Sequence, residues 1–236
     1  MAPNIVPPDY PRIKVVRSFE ELIGTEFADG VNALCWQRDL PGDFAEVVQH
    51  LQVRDGIDTL DEATLRALPL SEQGKAAVEV LLEDQQLLRD HGLDPILDCI
   101  ASYPREEEPG AVRTDVYSFH ADSATARADT WLCTYFGPSS EGLRHDQACR
   151  RVDLPETRAA LLEEFGGQDD RAFLIYLEEC CYDLHYAPVD GAQPFGFGQG
   201  NLWRIAVQYP GSPVPPCIHR APDTLPGDPP RLLLIS

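Results

Sequence analysis

Ser118–Phe119–His120–Ala121–Asp122 is the stretch on which the fold turns. Read as a β-strand it alternates faces, so His120 and Asp122 point to the same side. An imidazole and a carboxylate two apart can hold one metal ion from one face, or they can be a solvated strand end. Short strands separated by Gly/Pro-rich turns are expected around it, at about 112–121, 130–136, 171–178, 200–208, 214–220 and 231–236. One helix interrupts them. Asp153–Leu154–Pro155–Glu156 starts it and Gly166–Gly167 ends it. Many short strands punctuated by turns suggest a sandwich, jelly roll or barrel.

Upstream of Pro109–Gly110 the character differs. Residues 1–11 hold Pro3, Pro7, Pro8 and Pro11 and read as an extended arm. Ser18–Phe19–Glu20–Glu21 is a capping box that predicts a short helix, and Val31–Trp36 is a compact apolar run expected as a buried strand. Asp43 to Leu51 carries Phe44, Val47, Val48 and Leu51 at helical spacing. Ser71 to His91 is the clearest long helix, with Gly92 as its stop. The division expected is a helix-rich support region at 1–110 and a mainly β core at 111–236, within one integrated α+β domain. Arg105–Glu106–Glu107–Glu108 reads as a solvated loop.

Composition narrows the function. The chain has 236 residues, 19 Lys and Arg against 39 Asp and Glu, and a net charge of -20. Phosphate would be repelled, which argues against nucleic acid and against an anionic membrane face. There is no apolar run long enough for a transmembrane helix and no signal-peptide pattern. Seven cysteines with no CxxC pair suit free thiols in a reducing cytoplasm. A small-molecule substrate is the expected partner.

His120 and Asp122 need a second imidazole to make a site. His219 is the candidate, at the end of Val214–Pro215–Pro216–Cys217–Ile218. Beyond a Pro/Gly turn, Arg231 opens the strand Arg231–Leu232–Leu233–Leu234–Ile235–Ser236. That arginine either snorkels off the sheet end or clamps a carboxylate inside a barrel. The order His-x-Asp, His, Arg is that of a 2-His-1-carboxylate facial triad followed by a carboxylate clamp. Such a triad leaves open positions on Fe(II), enough for a 2-oxo acid and O₂.

The second half of the chain resembles the Fe(II)/2-oxoglutarate-dependent oxygenases. More closely it resembles an uncharacterised bacterial family of that apparent architecture. The matching pieces are Phe119–His120–Ala121–Asp122, Leu132–Cys133–Thr134–Tyr135–Phe136–Gly137–Pro138 with Glu141, His219–Arg220–Ala221–Pro222 and Arg231–Leu232–Leu233–Leu234. Trp36–Gln37–Arg38 with Leu40–Pro41 matches as well. The resemblance implies a double-stranded β-helix, or jelly roll, with helices packed on one sheet. It implies iron held by His120, Asp122 and His219, and 2-oxoglutarate held by Arg231. Tyr135 either donates its hydroxyl to that co-substrate or packs in the core. The implied activity is hydroxylation; a carboxylate in the Asp122 position leaves no spare site for halide. The chain departs from the superfamily where Leu232–Leu233 follow Arg231 in place of an Arg-x-Ser pair. It is also slightly longer than expected over Ser123 to Trp131. Arg220 is a rival clamp, disfavoured because strand neighbours face opposite ways. The alternatives are a cupin-like metal enzyme that does not use 2-oxoglutarate, and a non-catalytic metal or small-molecule binding protein.

Other residues read as structural. Cys180, Cys181 and His185 could hold zinc, but adjacent strand cysteines diverge and no second pair completes the set. Trp131 and Trp203 read as core more than pocket. His145–Asp146 reads as an exposed loop, and His50 and His91 as helix-end residues. Gly196–Phe197–Gly198–Gln199–Gly200 precedes a strand, so it lacks a phosphate-binding helix terminus and reads as a flexible loop at the barrel mouth. There is no G-x-S-x-G and no P-loop.

Overall fold

The computed structural model describes residues 7, 9–105, 110–224 and 227–236. The proline arm falls mostly outside them, as do Glu106, Glu107 and Glu108. The fold is mixed α/β, with two sheets and, among the described residues, six α-helices. The strands are β1 (Ile13–Val16), β2 (Ala33–Trp36), β3 (Ile57–Thr59), β4 (Ile96–Ile100), β5 (Phe119–His120), β6 (Asp129–Phe136), β7 (Glu141–Leu143), β8 (Ala148–Arg150), β9 (His185–Pro188), β10 (Phe195–Gly196), β11 (Leu202–Ala206), β12 (Ile218–Arg220) and β13 (Arg231–Ile235). The helices are α1 (Phe19–Gly24), α2 (Phe44–Leu51), α3 (Glu62–Ala67), α4 (Glu72–Arg89), α5 (Pro155–Phe165) and α6 (Arg171–Glu179). None is long and apolar enough to cross a membrane.

The larger sheet has the order β1-β2-β11-β6-β13-β4-β3, and the smaller β10-β7-β12-β5-β9-β8. Every pairing is antiparallel except β1 with β2. The larger sheet is covered on both faces, which explains its near-continuous apolar strands. One set of side chains, Leu34, Cys99, Cys133, Leu202, Leu232 and Leu234, packs with Val47, Val48, Ala77 and Leu81 of α2 and α4. The alternate set, Cys35, Ile100, Leu132, Trp203 and Leu233, packs with Phe195, Phe197 and Cys217 between the sheets.

The helices begin where side chains can satisfy free amides. Ser18, Asp43 and Ser71 cap α1, α2 and α4, accepting from the N–H of Glu21, Glu46 and Gly74. At the other end of α1, Arg204 of β11 donates to the carbonyls of Leu22, Ile23 and Thr25 and pairs with Asp129 of β6 at 2.7 Å. Gly42 holds φ +107° where the lead into α2 runs against α4; a Cβ there would meet the backbone of Ala77. The strongest tie is Arg38 with Asp84 of α4. Two parallel bonds of 2.7 and 2.8 Å join them, with both side chains less than a tenth exposed.

Two expectations are corrected. Residues 171–178 form helix α6, not a strand. Asp170 caps it by accepting from Ala172 and Phe173, and Phe173 and Leu177, four apart, are its buried residues. The strands expected over 112–121 and 214–220 shrink to Phe119–His120 and Ile218–Arg220; Pro215 and Pro216 cannot donate to a ladder. The first 110 residues are helix-rich, with α1 to α4 longer in sum than the strands among them. They supply β1, β2, β3 and β4 to the larger sheet, where β2 pairs with β11 and β4 with β13, so strand pairing crosses the expected division at 110.

Removing Asp84 would leave a buried guanidinium unpaired. Asp84→Ala is expected to cost about 3–5 kcal/mol in denaturant unfolding. A loss below ~1 kcal/mol would mean that the pair does not hold the helical layer to the sheet.

Candidate metal centre

The site begins with strand register. His219 of β12 sits directly opposite His120 of β5 in the antiparallel ladder, so both imidazoles leave the sheet on one face. Their ring centroids are 4.7 Å apart. Asp122, two residues beyond His120, returns to the same side. Its Oδ1 lies 3.7 Å from His120 Nε2 and its Oδ2 lies 3.7 Å from His219 Nε2. One ligand atom from each of the three residues falls within 4.8 Å of the others. Two metal–ligand bonds of about 2.1 Å can separate their donors by at most ~4.2 Å, and each 3.7 Å histidine–carboxylate spacing, to its own oxygen of Asp122, lies within that reach. This group could bind a metal.

Hydrogen bonds set the histidine tautomers. His120 Nδ1 faces the carbonyl of Ser118 at 2.7 Å, and His219 Nδ1 faces that of Cys217 at 3.4 Å. A carbonyl only accepts, so each Nδ1 is the donor, and Nε2 is the nitrogen turned toward Asp122. Burial, together with the neighbouring His219, lowers the His120 pKa to about 4, so its ring is neutral near pH 7. Burial raises the Asp122 carboxyl, but the two imidazoles and the Thr130 hydroxyl outweigh it and hold the group below the usual carboxylate range. Thr130 Oγ1 donates to Oδ2 of Asp122 and fixes its orientation.

The three residues line a cavity of about 180 Å³ between the sheets, together with Tyr103, Ser140 and Arg231. Arg231 is 1% exposed. Its Nη1 donates to Tyr103 Oη at 3.0 Å, and its Nη2 to Ser140 Oγ at 3.0 Å and Thr134 Oγ1 at 3.4 Å. Nε is buried with no partner, and among the described residues no carboxylate pairs with this guanidinium. Burial accordingly pulls its pKa below the ordinary arginine value. A buried cation that has hydroxyl partners but no counter-ion carries an uncompensated desolvation cost.

Tyr135 does not belong to this cavity. Period two places Thr134 inward and Tyr135 outward, where its hydroxyl donates to Asp84 and its ring stacks on Phe44 of α2. The expected co-substrate contact is corrected; Tyr135 is part of the helical layer. Arg220 is engaged elsewhere, with Glu141 at 2.7 Å and Asp223 at 3.2 Å. Trp131 lies under the helices and Trp203 stacks on Phe197 between the sheets. His145 is an anchor rather than an exposed loop residue, its Nε2 meeting the carbonyl of Pro216 at 2.8 Å. Nor is Gly196–Gly200 a loose loop. Phe197 is 1% exposed, and the amides of Gly198 and Gly200 bond to Ser139 and Thr134.

Among the described residues Cys180, Cys181 and His185 form no ligand cluster; Cys180 ends α6. His185 instead pairs with His120 across β5 and β9, its ring 6.0 Å away, and Nδ1 donates to the Cys181 carbonyl. The residues the sequence reading missed are Tyr103, Thr130, Thr134 and Ser140. Alternation from Leu132 could have placed Thr130 and Thr134 inward. Tyr103 follows β4 in a segment with no periodicity, and no signal marked it. Set beside known proteins, the chain matches no family model, no curated protein and no solved structure.

Tyr135→Phe should lower stability by about 1–2 kcal/mol through the lost buried hydrogen bond. Metal affinity measured by calorimetry should not change. A Tyr135→Phe protein that loses ligand binding at full stability would return Tyr135 to the site.

Proposed function

We propose that the protein is a non-haem Fe(II)/2-oxoglutarate-dependent oxygenase that hydroxylates a small molecule. The observation that carries the reading is Arg231. A guanidinium buried with no counter-ion among the described residues shares one cavity with a two-histidine, one-carboxylate set. The donor set fits ferrous iron, with two lone pairs and one carboxylate on one side and the other side open to the cavity. Iron held there would supply the redox chemistry, coupling oxidative decarboxylation of a 2-oxo acid to hydroxylation by O₂.

The jelly-roll reading is supported by strand order. Eight strands fall into two antiparallel quartets, β11-β6-β13-β4 and β10-β7-β12-β5, with successive strands mostly changing sheet. The site lies between the two quartets, as such an architecture would place it. The seven cysteines are all free, in keeping with the reducing cytoplasm we propose for the protein.

The chain's own residues divide the work. His120 and His219 offer Nε2 lone pairs fixed by their Nδ1 bonds, and Thr130 keeps Asp122 from turning away. Arg231 takes the far carboxylate of the 2-oxo acid on its planar fork, helped by the hydroxyls of Tyr103 and Ser140. Leu132, Leu233 and Ile235 line the cavity and exclude water.

Anaerobic addition of Fe(II) and 2-oxoglutarate should produce the weak visible charge-transfer band of the chelate. Asp122→Ala should lose it together with turnover. Arg231→Ala should raise the 2-oxoglutarate requirement at least about tenfold, equivalent to ~1.4 kcal/mol, while iron binding persists. Arg220→Ala should do neither. If wild-type protein binds metal but never binds or consumes 2-oxoglutarate, the cupin-like or binding-protein reading takes over.

A further inference from the structure

Tyr103 serves two cavities. Its hydroxyl bonds to Arg231 in the metal cavity, and the same residue lines a larger cleft of about 730 Å³. That volume is within the range of small-molecule pockets. Residues 53–55, 101–103, 227 and 228 form its walls, together with Arg105, Tyr117, Thr224 and Pro230. Tyr103 and Tyr117 meet edge to face with centroids 5.9 Å apart. The Arg105 guanidinium lies 3.9 Å over the Tyr117 ring, which orients its fork. Arg54 stands on another wall.

In a chain this acidic, arginines facing a cleft without acidic partners are informative. Among the described residues neither Arg54 nor Arg105 pairs with a carboxylate. Two acids do line the cleft, but both are engaged. Asp55 Oδ1 accepts from Ser102 Oγ and Gly56 N, and Asp228 also has a partner. We propose that the cleft is a binding site for a small organic anion with a flat body. Its carboxylate or phosphate monoester would sit between Arg54 and Arg105, and its body against Tyr103 and Tyr117. The net charge of -20 does not forbid this. At physiological salt, charges beyond about 8 Å are largely screened. Within the cleft the two guanidiniums, unlike Asp55 and Asp228, have no polar partner among the described residues, so they are the groups left to take an anion. The site is separate from the metal cavity and stands whether or not the protein is an oxygenase. Tyr103 is the wall between them, so an occupant of the cleft touches the residue that holds Arg231.

The test uses the metal-free full chain, titrated by calorimetry with phenyl phosphate and, separately, with benzoate. One equivalent of at least one probe should bind, and the tighter of the two identifies the head group. The double variant Arg54→Ala/Arg105→Ala should weaken that binding by about tenfold or more. Both side chains are exposed, so the variant should keep the wild-type unfolding curve. Failure of both probes to bind overturns the proposal, as does binding that survives the double variant. Neither result bears on the Fe(II)/2-oxoglutarate band, which is read separately.

Discussion

A strand in the middle of the larger sheet answers to two neighbours that cannot share a residue. On β6, Trp131, Cys133 and Tyr135 face the helices while Thr130, Leu132 and Thr134 face the cavity. On β13, Leu232 and Leu234 take the helical side, leaving Arg231, Leu233 and Ile235 for the other. The fixed period of two therefore assigns chemistry and stability to alternate residues of the same strands. A slip of one residue would exchange them and bury Arg231 among leucines. The helical layer, the ladder through β12 and β5 and the site all follow from keeping this register.

Two arginines show what the register arranges. Arg38 is buried beside Asp84 and bonded to it twice, with Tyr135 completing the carboxylate's partners. Its charge is neutralised within the protein, and the pair fixes α4 against the sheet. Arg231 is buried more deeply and given only hydroxyls. Desolvating a guanidinium without a counter-charge costs several kcal/mol, which the fold must offset elsewhere. The doubly covered sheet contributes to that offset, since its apolar strands are buried on both faces. Structure and function thus draw on the same residue type, one arginine satisfied and one left unsatisfied.

Much of this was legible in the sequence. His120, Asp122 and His219 could be brought together on paper because strand alternation and chain order carry that information. A capping box located α1, and apolar spacing located α2 and α4, for the same local reason. What failed depended on context. Residues 171–178 look strand-like because Ala172–Phe173–Leu174–Ile175–Tyr176–Leu177 is an unbroken apolar run, and only the Asp170 cap and the packing of Phe173 with Val152 and Leu161 make it helical. The strands β1, β3 and β4 are short and exposed in part, so their identity comes from partners more than from pattern. For Tyr135 a co-substrate contact and a core position were both open, because a familiar segment says which residues are present, whereas alternation from Leu132 says which way each one points.

Strand β13 is later in the chain than every other strand of its sheet, yet it sits in the interior, wedged between β6 and β4. Its partner across Arg231 is Ile100, so the pairing closes a very long loop. Long-range pairing of this kind is slow, because the entropy of closure is lost before any contact compensates for it. Until β13 arrives, β4 and β6 have unpaired edges and the larger sheet is divided, a form open to association with other chains. The same insertion delivers the guanidinium to the cavity. Completion of the sheet and burial of Arg231 beside the cavity are thus one event, and a chain caught before it can hold His120 beside Asp122 while that guanidinium is still in water.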